Sequence, residues 1–318
     1  MADPLIFVTC QLSLDPSTLV PPSLDLLVYP HPSPPLPSFL PSLARGAQAI
    51  VTMPSTPVDG SLLDALPSLL VVANHAVGLD NIDLDAARRR GIWVTHTPGV
   101  LTDATAELTF ALILAASRRL REGEAMVREG RFPGWNPTML LGRGLRGKTL
   151  GVLGLGRIGL AVARIGLAFG MEVIYTSRGR REEGGQVPLG ELLERSDVLT
   201  IHCPLREETR GLLGAAELGR MKRGALLVNT ARGPIVDEGA LVEALERGHL
   251  GGAALDVYER EPAVHPGLLG RSDVVLLPHL GSATEEARGL MATLALGDAV
   301  RVLQGQRPLH AAVEGRLP

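Results

Sequence analysis

Along this chain, short apolar runs alternate with longer stretches of helical periodicity almost from end to end. The apolar runs are "LIFVTC", "LDLLVYP", "AQAIVTM", "LLVVANHAVG" and "GIWVTHTP", then "TLGVLGLG", "EVIYTS", "DVLTIHCP", "GALLVNTARG", "AALDVY" and "DVVLLPHLG". They are apolar at successive rather than alternate positions, as strands covered on both faces must be. Helical patterns lie between them, at 83–90, 157–169, 237–248 and 284–304. The alternation predicts βαβ units and a doubly wound α/β fold. A longer pattern, from about Asp103 to Glu129, reads as a single helix. The Gly/Pro-rich "GRFPGWNPTMLLGRGLRGK" ends it.

The second series of strands begins midway along the chain, and the last helix follows its final strand. This order predicts a discontinuous arrangement. Residues 1–98 with 284–318 form one domain, and 99–283 form the other. A length of 318 residues agrees, since it exceeds what one compact core usually serves.

Composition narrows the class. A chain 45% hydrophobic and 20% charged is an ordinary globular one. With 3% aromatics, its core must be built of Leu, Val, Ala and Ile. The net charge of −3 offers no electrostatic case for nucleic acid or an anionic membrane. The uncharged run from Leu26 to Ala44 is interrupted by prolines, and "LTFALILAAS" (108–117) is too short to span a bilayer. The PxxP spacing in "YPHPSPPLPSFLPS" (29–42) reads as a loop leading into a helix rather than an SH3-type ligand. The amino terminus "MADPLIFVTC" lacks the basic region of a signal peptide. Cys10 and Cys203 stand in no metal-type spacing, so no metal is expected and a cytoplasmic setting is the simplest.

"LGVLGLGRIG" (150–159) carries the first chemistry. Gly154 makes a tight turn, Gly156 lets backbone reach a pyrophosphate, and Gly159 permits close helix–strand contact. The helix beginning near Arg157 and Ile158 offers free N–H groups to the phosphates. Strand, turn, helix and a second strand follow in order, which predicts dinucleotide binding. An acidic residue is expected about 20 residues on, where it holds the ribose hydroxyls of NAD. Here "VIYTSRGRR" (173–181) places Thr176, Ser177, Arg178, Arg180 and Arg181 instead. Hydroxyl donors and guanidinium suit a 2′-phosphate, so NADP(H) is predicted over NAD(H). The competing reading is a solvated loop whose arginines are offset by Glu182 and Glu183.

Three strand ends carry the second chemistry. "ALLVNTARG" ends at Arg232, "AALDVYEREP" passes Asp256 and reaches Glu261, and "VVLLPHLGSAT" places His279 at a strand-to-helix turn. Ligands of open α/β sheets sit beyond such ends. The set suits carbonyl reduction. His279 is the natural acid for the carbonyl oxygen. Glu261 on its other ring nitrogen favours the charged form. Arg232 clamps a carboxylate, and Asp256 accepts from a nicotinamide carboxamide. Thr230, Ala231 and Gly281, on these same ends, join the candidate cofactor contacts. His31, His75, His96, His202, His249, His265 and His310 have no comparable partners in the sequence and read as ordinary packing or surface histidines.

"GLGRIG", "NTARG", "LDVYEREP" and "PHLGSAT", in this order, resemble the D-isomer-specific 2-hydroxyacid dehydrogenases over almost the whole chain. "TPGVLTDATAELTFALILAASRRL" and "YTSR" look like the family's glyoxylate/hydroxypyruvate reductase branch. The resemblance implies two Rossmann-like domains, the substrate domain flavodoxin-like, with a cleft between them. It also implies a homodimer formed through 101–145. It assigns Arg232, Glu261 and His279 as catalytic, and reduction of small 2-keto acids to D-2-hydroxy acids as the activity. It places Cys203, Pro204 and Thr209 along the adenosine side. The backbone amides of Val77 and Gly78 would bind the substrate carboxylate, with Met53 and Leu79 near them. Trp135 either reaches the partner subunit's active site or packs in its own loop, and Trp93 is read as core. Rival readings are a D-3-phosphoglycerate dehydrogenase, a formate or phosphite dehydrogenase, and a dinucleotide-sensing corepressor.

Overall fold

The computed structural model describes residues 3–179 and 185–318. Arg180, Arg181, Glu182 and Glu183 lie outside the described residues. The chain forms two compact units, one of residues 1–101 with 282–318 and one of 102–281. In chain order the strands are β1 (Leu5–Val8), β2 (Asp25–Val28), β3 (Ala49–Thr52), β4 (Val71–Asn74), β5 (Trp93–Thr95), β6 (Thr149–Leu153), β7 (Glu172–Thr176), β8 (Val198–Ile201), β9 (Leu226–Asn229), β10 (Gly252–Leu255), β11 (Val274–Leu276) and β12 (Ala311–Val313).

The first unit holds a sheet of order β12-β5-β4-β3-β1-β2. Its strands are parallel except β12, which pairs antiparallel with β5. β3 and β4 are buried at every residue, which is why their sequences do not alternate. β2 sits at the edge and is half exposed. One face packs against helices Gly60–Ala65 and Leu84–Arg90 through Leu62, Leu63, Ala86 and Ala87. The other is covered by helix Glu285–Leu303 through Ala295, Leu296, Ala299 and Val302. Thr284 caps that helix, its hydroxyl accepting from Ala287 N at 3.1 Å. Trp93 is buried in this core, as its mid-strand position predicts, and its indole N–H donates to Arg316 O. β12 has no counterpart in the predicted strands. It is three residues long, and its partner strand lies far back in the chain, at β5.

The second unit is an all-parallel sheet of order β11-β10-β9-β8-β6-β7. Chain order reverses between β6 and β8, the switch point where doubly wound sheets open a ligand crevice. Helices Leu189–Arg195, Ala215–Arg220 and Glu238–Glu246 cover one face. Helices Thr102–Ser117 and Arg157–Ala168 cover the other.

The single helix expected over 103–129 is instead two, Thr102–Ser117 and Leu120–Arg128. The break has a tertiary cause. Arg143 N–H donates to Ser117 O at 2.8 Å, taking the carbonyl that the next helical turn needs. The loop comes this close because residue 142 is glycine, where a Cβ would lie 2.4 Å from that oxygen. Arg119 takes a left-handed φ of 53°, and its guanidinium forks onto Glu122 at 2.6 and 2.7 Å.

Candidate active site

At the switch point of the second unit the glycines of "GLGRIG" meet three separate requirements. Gly154 has φ 102°, and a Cβ there would lie 2.6 Å from Cys203 N. A Cβ on Gly159 would lie 2.2 Å from Gly154 O. At Gly156 a Cβ would meet nothing within 4 Å, so the turn presents bare backbone to open space. Helix Arg157–Ala168 starts there with no side-chain cap. Its first N–H groups therefore remain for an anion, and the turn fits a dinucleotide pyrophosphate.

The walls of this crevice follow from the neighbouring strand ends. Cys203, Pro204 and Thr209 follow β8. The Thr209 hydroxyl accepts from Arg206 N and donates to Pro204 O, both at 2.8 Å, which fixes the loop. Burial pushes the Cys203 thiol up to about 11, although the Arg178 guanidinium works against that shift. Cys203 is thus a protonated wall residue at neutral pH, and Arg178 stands close enough for its charge to be felt there. Thr176 donates to Val187 O at 2.6 Å and Ser177 to Gly179 O at 2.7 Å, while Arg178 is exposed. His202 brings no charge to the site, since burial pushes its imidazole down to about 3.

Arg232, Glu261 and His279 come together on the same rim. His279 Nδ1 lies 2.9 Å from Glu261 Oε2, and Tyr258 N–H donates to Glu261 Oε1 at 3.1 Å. Both carboxylate oxygens are therefore engaged. Burial works to raise the Glu261 pKa, but His279, the Tyr258 N–H and the Arg232 charge outweigh it and hold it below the usual glutamate range. The Arg232 side chain donates to Ala231 O at 2.8 Å. Its loop is set by Asn229, which bonds Ala231 N at 3.0 Å and Arg232 O at 2.9 Å. Gly233 lets this loop press on the next, for a Cβ there would lie 1.8 Å from Tyr258 C. Thr230 is buried against Thr109, hydroxyl to hydroxyl at 2.9 Å.

His279 sits at φ 56°, a left-handed conformation uncommon for a residue with a Cβ. Asp256 holds it there. The His279 N–H donates to Asp256 O at 2.9 Å, Leu280 N–H to Oδ1 at 2.6 Å and Gly281 N–H to Oδ2 at 2.8 Å. Asp256 is fully buried, and that burial raises its pKa against the pull of these N–H groups. The sequence suggests a carboxamide acceptor at Asp256. The structure shows a carboxylate with both oxygens already committed to the turn that carries His279.

The first unit has its own rim at the ends of β3, β4 and β5. Met53 is buried after β3, and residues 76–79 form a loop after β4. Every carbonyl of this loop has a donor. Thr97 N holds Ala76 O at 2.9 Å, His96 Nδ1 holds Val77 O at 3.1 Å, Asn74 Nδ2 holds Gly78 O at 2.8 Å and Ile82 N holds Leu79 O at 3.0 Å. The N–H groups of Val77, Gly78 and Leu79 have no acceptor among the described residues. Successive amides left in this way form a site for an anionic group such as a carboxylate.

Sequence reasoning passed over several of these residues. His96 and Asn81 act through backbone atoms distant in sequence, Asn81 by donating to Met53 O and Thr56 O, and Asn74 acts through a carbonyl four residues on, Gly78 O. His310, read as unpartnered, is paired to the buried Asp298 at 2.9 Å. His75 is buried, which lowers its pKa, and its Nε2 has no partner among the described residues. Trp135 is 82% exposed, so it does not pack within its own loop.

Comparison with known proteins places the chain in a family. Residues 110–281 match the family model of the D-isomer specific 2-hydroxyacid dehydrogenase, NAD binding domain. A glyoxylate reductase of Aeropyrum pernix is 49% identical, over 97% of this chain and 95% of that protein. A crystal structure of a Thermus thermophilus protein is 44% identical with a TM-score of 0.89, covering 97% of this chain and 100% of that one. The NADPH-dependent glyoxylate/hydroxypyruvate reductase of Sinorhizobium meliloti, solved with NADP and malonate, is 33% identical with a TM-score of 0.87, covering 100% of both chains. This chain belongs to the D-isomer-specific 2-hydroxyacid dehydrogenases.

Proposed function

We propose that the protein is a reductase of glyoxylate and hydroxypyruvate that prefers NADP(H), accepts NAD(H) less well, and works as a cytoplasmic homodimer. The observation that carries the enzymatic reading is the Glu261–His279 pair at 2.9 Å, in the unit that holds the phosphate turn and beside Arg232. The reduced nicotinamide, when bound, supplies the hydride for the 2-keto carbon. His279 keeps its Nδ1 proton on Glu261 and gives the Nε2 proton to the carbonyl oxygen. Glu261 fixes the ring by accepting from its Nδ1–H. Arg232 supplies a guanidinium suited to a carboxylate, and the Val77 and Gly78 amides supply N–H donors for the same chemical group. Asp256 keeps the His279 turn in place.

The NADP(H) preference rests on the end of β7, where Thr176, Ser177 and Arg178 stand in place of a carboxylate. A carboxylate there would repel a 2′-phosphate, and an exposed guanidinium attracts it. The dimer rests on the segment that begins with helix Leu120–Arg128 and runs to Leu141. Leu120, Val127, Phe132, Trp135 and Leu141 all expose apolar surface, a density that calls for a covering partner. Trp135 belongs to this surface and would serve the partner's substrate site. Two free thiols suit a reducing compartment.

The test is a set of steady-state assays with glyoxylate and hydroxypyruvate, each with NADPH and NADH, together with light scattering for mass. Turnover favouring NADPH by a dimer is expected. Turnover favouring NADH would remove the role given to Arg178, and absence of turnover with either keto acid would remove the substrate assignment.

A further inference from the structure

The loop that offers the Val77, Gly78 and Leu79 amides is shaped by what holds its carbonyls. Those of Ala76 and Leu79 are held by backbone N–H groups, and those of Val77 and Gly78 by side chains. Asn74 holds Gly78 O and is itself fully buried, with Oδ1 accepting from Thr52 Oγ1 at 3.1 Å. It is part of the core. His96 is different. It is half-buried, it lies one residue beyond β5, and its Nδ1 reaches Val77 O at 3.1 Å from 19 residues away. A carbonyl can only accept, so the proton is on Nδ1.

His96 is held from the opposite side by the end of the chain. Its own N–H donates to His310 O at 3.2 Å, just before β12 pairs with β5. His310 is fixed by Asp298, which is buried within helix Glu285–Leu303. Asp298 accepts from Leu309 N at 2.7 Å, His310 N at 3.2 Å and His310 Nδ1 at 2.9 Å. An unbroken set of contacts therefore leads from a buried carboxylate, through the carboxy-terminal segment and His96, to the carbonyl of Val77.

We infer that His96 is a positioning residue for substrate carboxylate binding: its Nδ1–H turns the Val77 carbonyl inward, and the Asp298–His310 pair keeps His96 in place. The physical reason is peptide geometry. A peptide unit is planar, so fixing the carbonyl of Val77 fixes the direction of the following N–H, that of Gly78. Without the imidazole, the Val77–Gly78 peptide is free to rotate and the Gly78 N–H loses its aim. The inference rests on the reading of this loop as the carboxylate site.

The experiment is kinetic and uses the full-length enzyme with glyoxylate and NADPH. Wild-type turnover is measured first, since its absence would overturn the functional reading itself and is seen independently of any variant. His96→Ala is expected to raise KM for glyoxylate roughly three- to tenfold, the loss of one hydrogen bond. Its kcat and its KM for NADPH stay near wild-type. His96→Asn is expected to restore KM, because Asn Nδ2 stands at the same distance from the backbone as His Nδ1. Asp298→Asn should raise KM for glyoxylate in wild-type but add nothing in the His96→Ala background. Should the Ala variant not fold, His96→Gln, whose donor lies one bond too far out, is expected to show the same rise. An unchanged KM for glyoxylate in an active His96→Ala enzyme would overturn the assignment. So would an Asn variant that behaves like the Ala variant, or a matching rise in KM for NADPH.

Discussion

Asp256→Asn asks whether the turn that presents His279 depends on a buried carboxylate. Both oxygens of Asp256 accept backbone N–H groups, Leu280 at 2.6 Å and Gly281 at 2.8 Å. Asparagine keeps the shape but has one acceptor oxygen, so one of these N–H groups must face an NH2. A buried donor without an acceptor costs about 1–3 kcal/mol. Removing the charge returns part of this, because burial already works against the ionised form. A net loss of about 1–2 kcal/mol corresponds to a fall in Tm of roughly 2–8 °C for a unit of this size. The effect on rate follows from strain. His279 is held at φ 56°, a conformation that costs on the order of 1–3 kcal/mol and persists only while its surroundings enforce it. A loosened turn relaxes toward negative φ and carries the imidazole away from Glu261. We expect kcat to fall about 10- to 100-fold, equivalent to about 1.4–2.8 kcal/mol of barrier, with KM for NADPH within about twofold of wild-type. The assays are scanning calorimetry and steady-state kinetics with glyoxylate. Tm and kcat both within error of wild-type would refute the reasoning. A raised KM for NADPH with unchanged Tm would instead make Asp256 a cofactor acceptor.

Other perturbations separate the remaining roles. His279→Ala is expected to lose about 10²- to 10⁴-fold in kcat while NADPH affinity, measured by fluorescence titration, holds; near-normal turnover would remove it as the proton donor. Arg178→Ala should weaken NADPH about tenfold or more and leave NADH unchanged, as loss of a charge-assisted phosphate contact requires; equal loss for both cofactors would point to a structural effect. Glu261 has its pKa depressed in the folded state, so its contribution to stability is present above the unfolded value and is lost as pH falls through the folded one. The Tm difference between wild-type and Glu261→Gln should therefore be constant at neutral pH and shrink below about pH 4. A difference that persists to lower pH would show that the carboxylate charge is not what stabilises the pair.

The sequence carried the local requirements of this fold well. Glycines that must adopt positive φ or admit a close neighbour, such as Gly154 and Gly159, announce themselves wherever they stand. Strands covered on both faces read as continuous apolar runs. The Arg, Glu and His at three strand ends were legible because residues at the carboxyl ends of adjacent parallel strands share a rim. What was hidden depends on partners distant in sequence. The break at Arg119 arises because Arg143 takes the Ser117 carbonyl, and nothing in the apolar pattern of 102–117 foretells it. β12 is too short to signal a strand and exists because β5 offers an edge. Nothing in the helical pattern of 284–304 marks Asp298, and only the returning chain end makes it a buried anchor. His96 acts on a carbonyl, which leaves no pairing of side-chain types to detect.

The order in which the chain visits its two units bears on its synthesis. The second unit is a single continuous stretch, 102–281, and all of its strands and covering helices have emerged by the time Gly281 leaves the ribosome. The first unit at that moment still lacks helix Glu285–Leu303 and β12. Ile6, Val8, Val51, Val71 and Ala73, which that helix covers in the finished protein, then have no lid on their side of the sheet. The segment made first is thus the last to close, and a nascent chain carries an open apolar sheet face through most of its translation. Such a face is a natural target for a holding chaperone and a source of aggregation in truncated products.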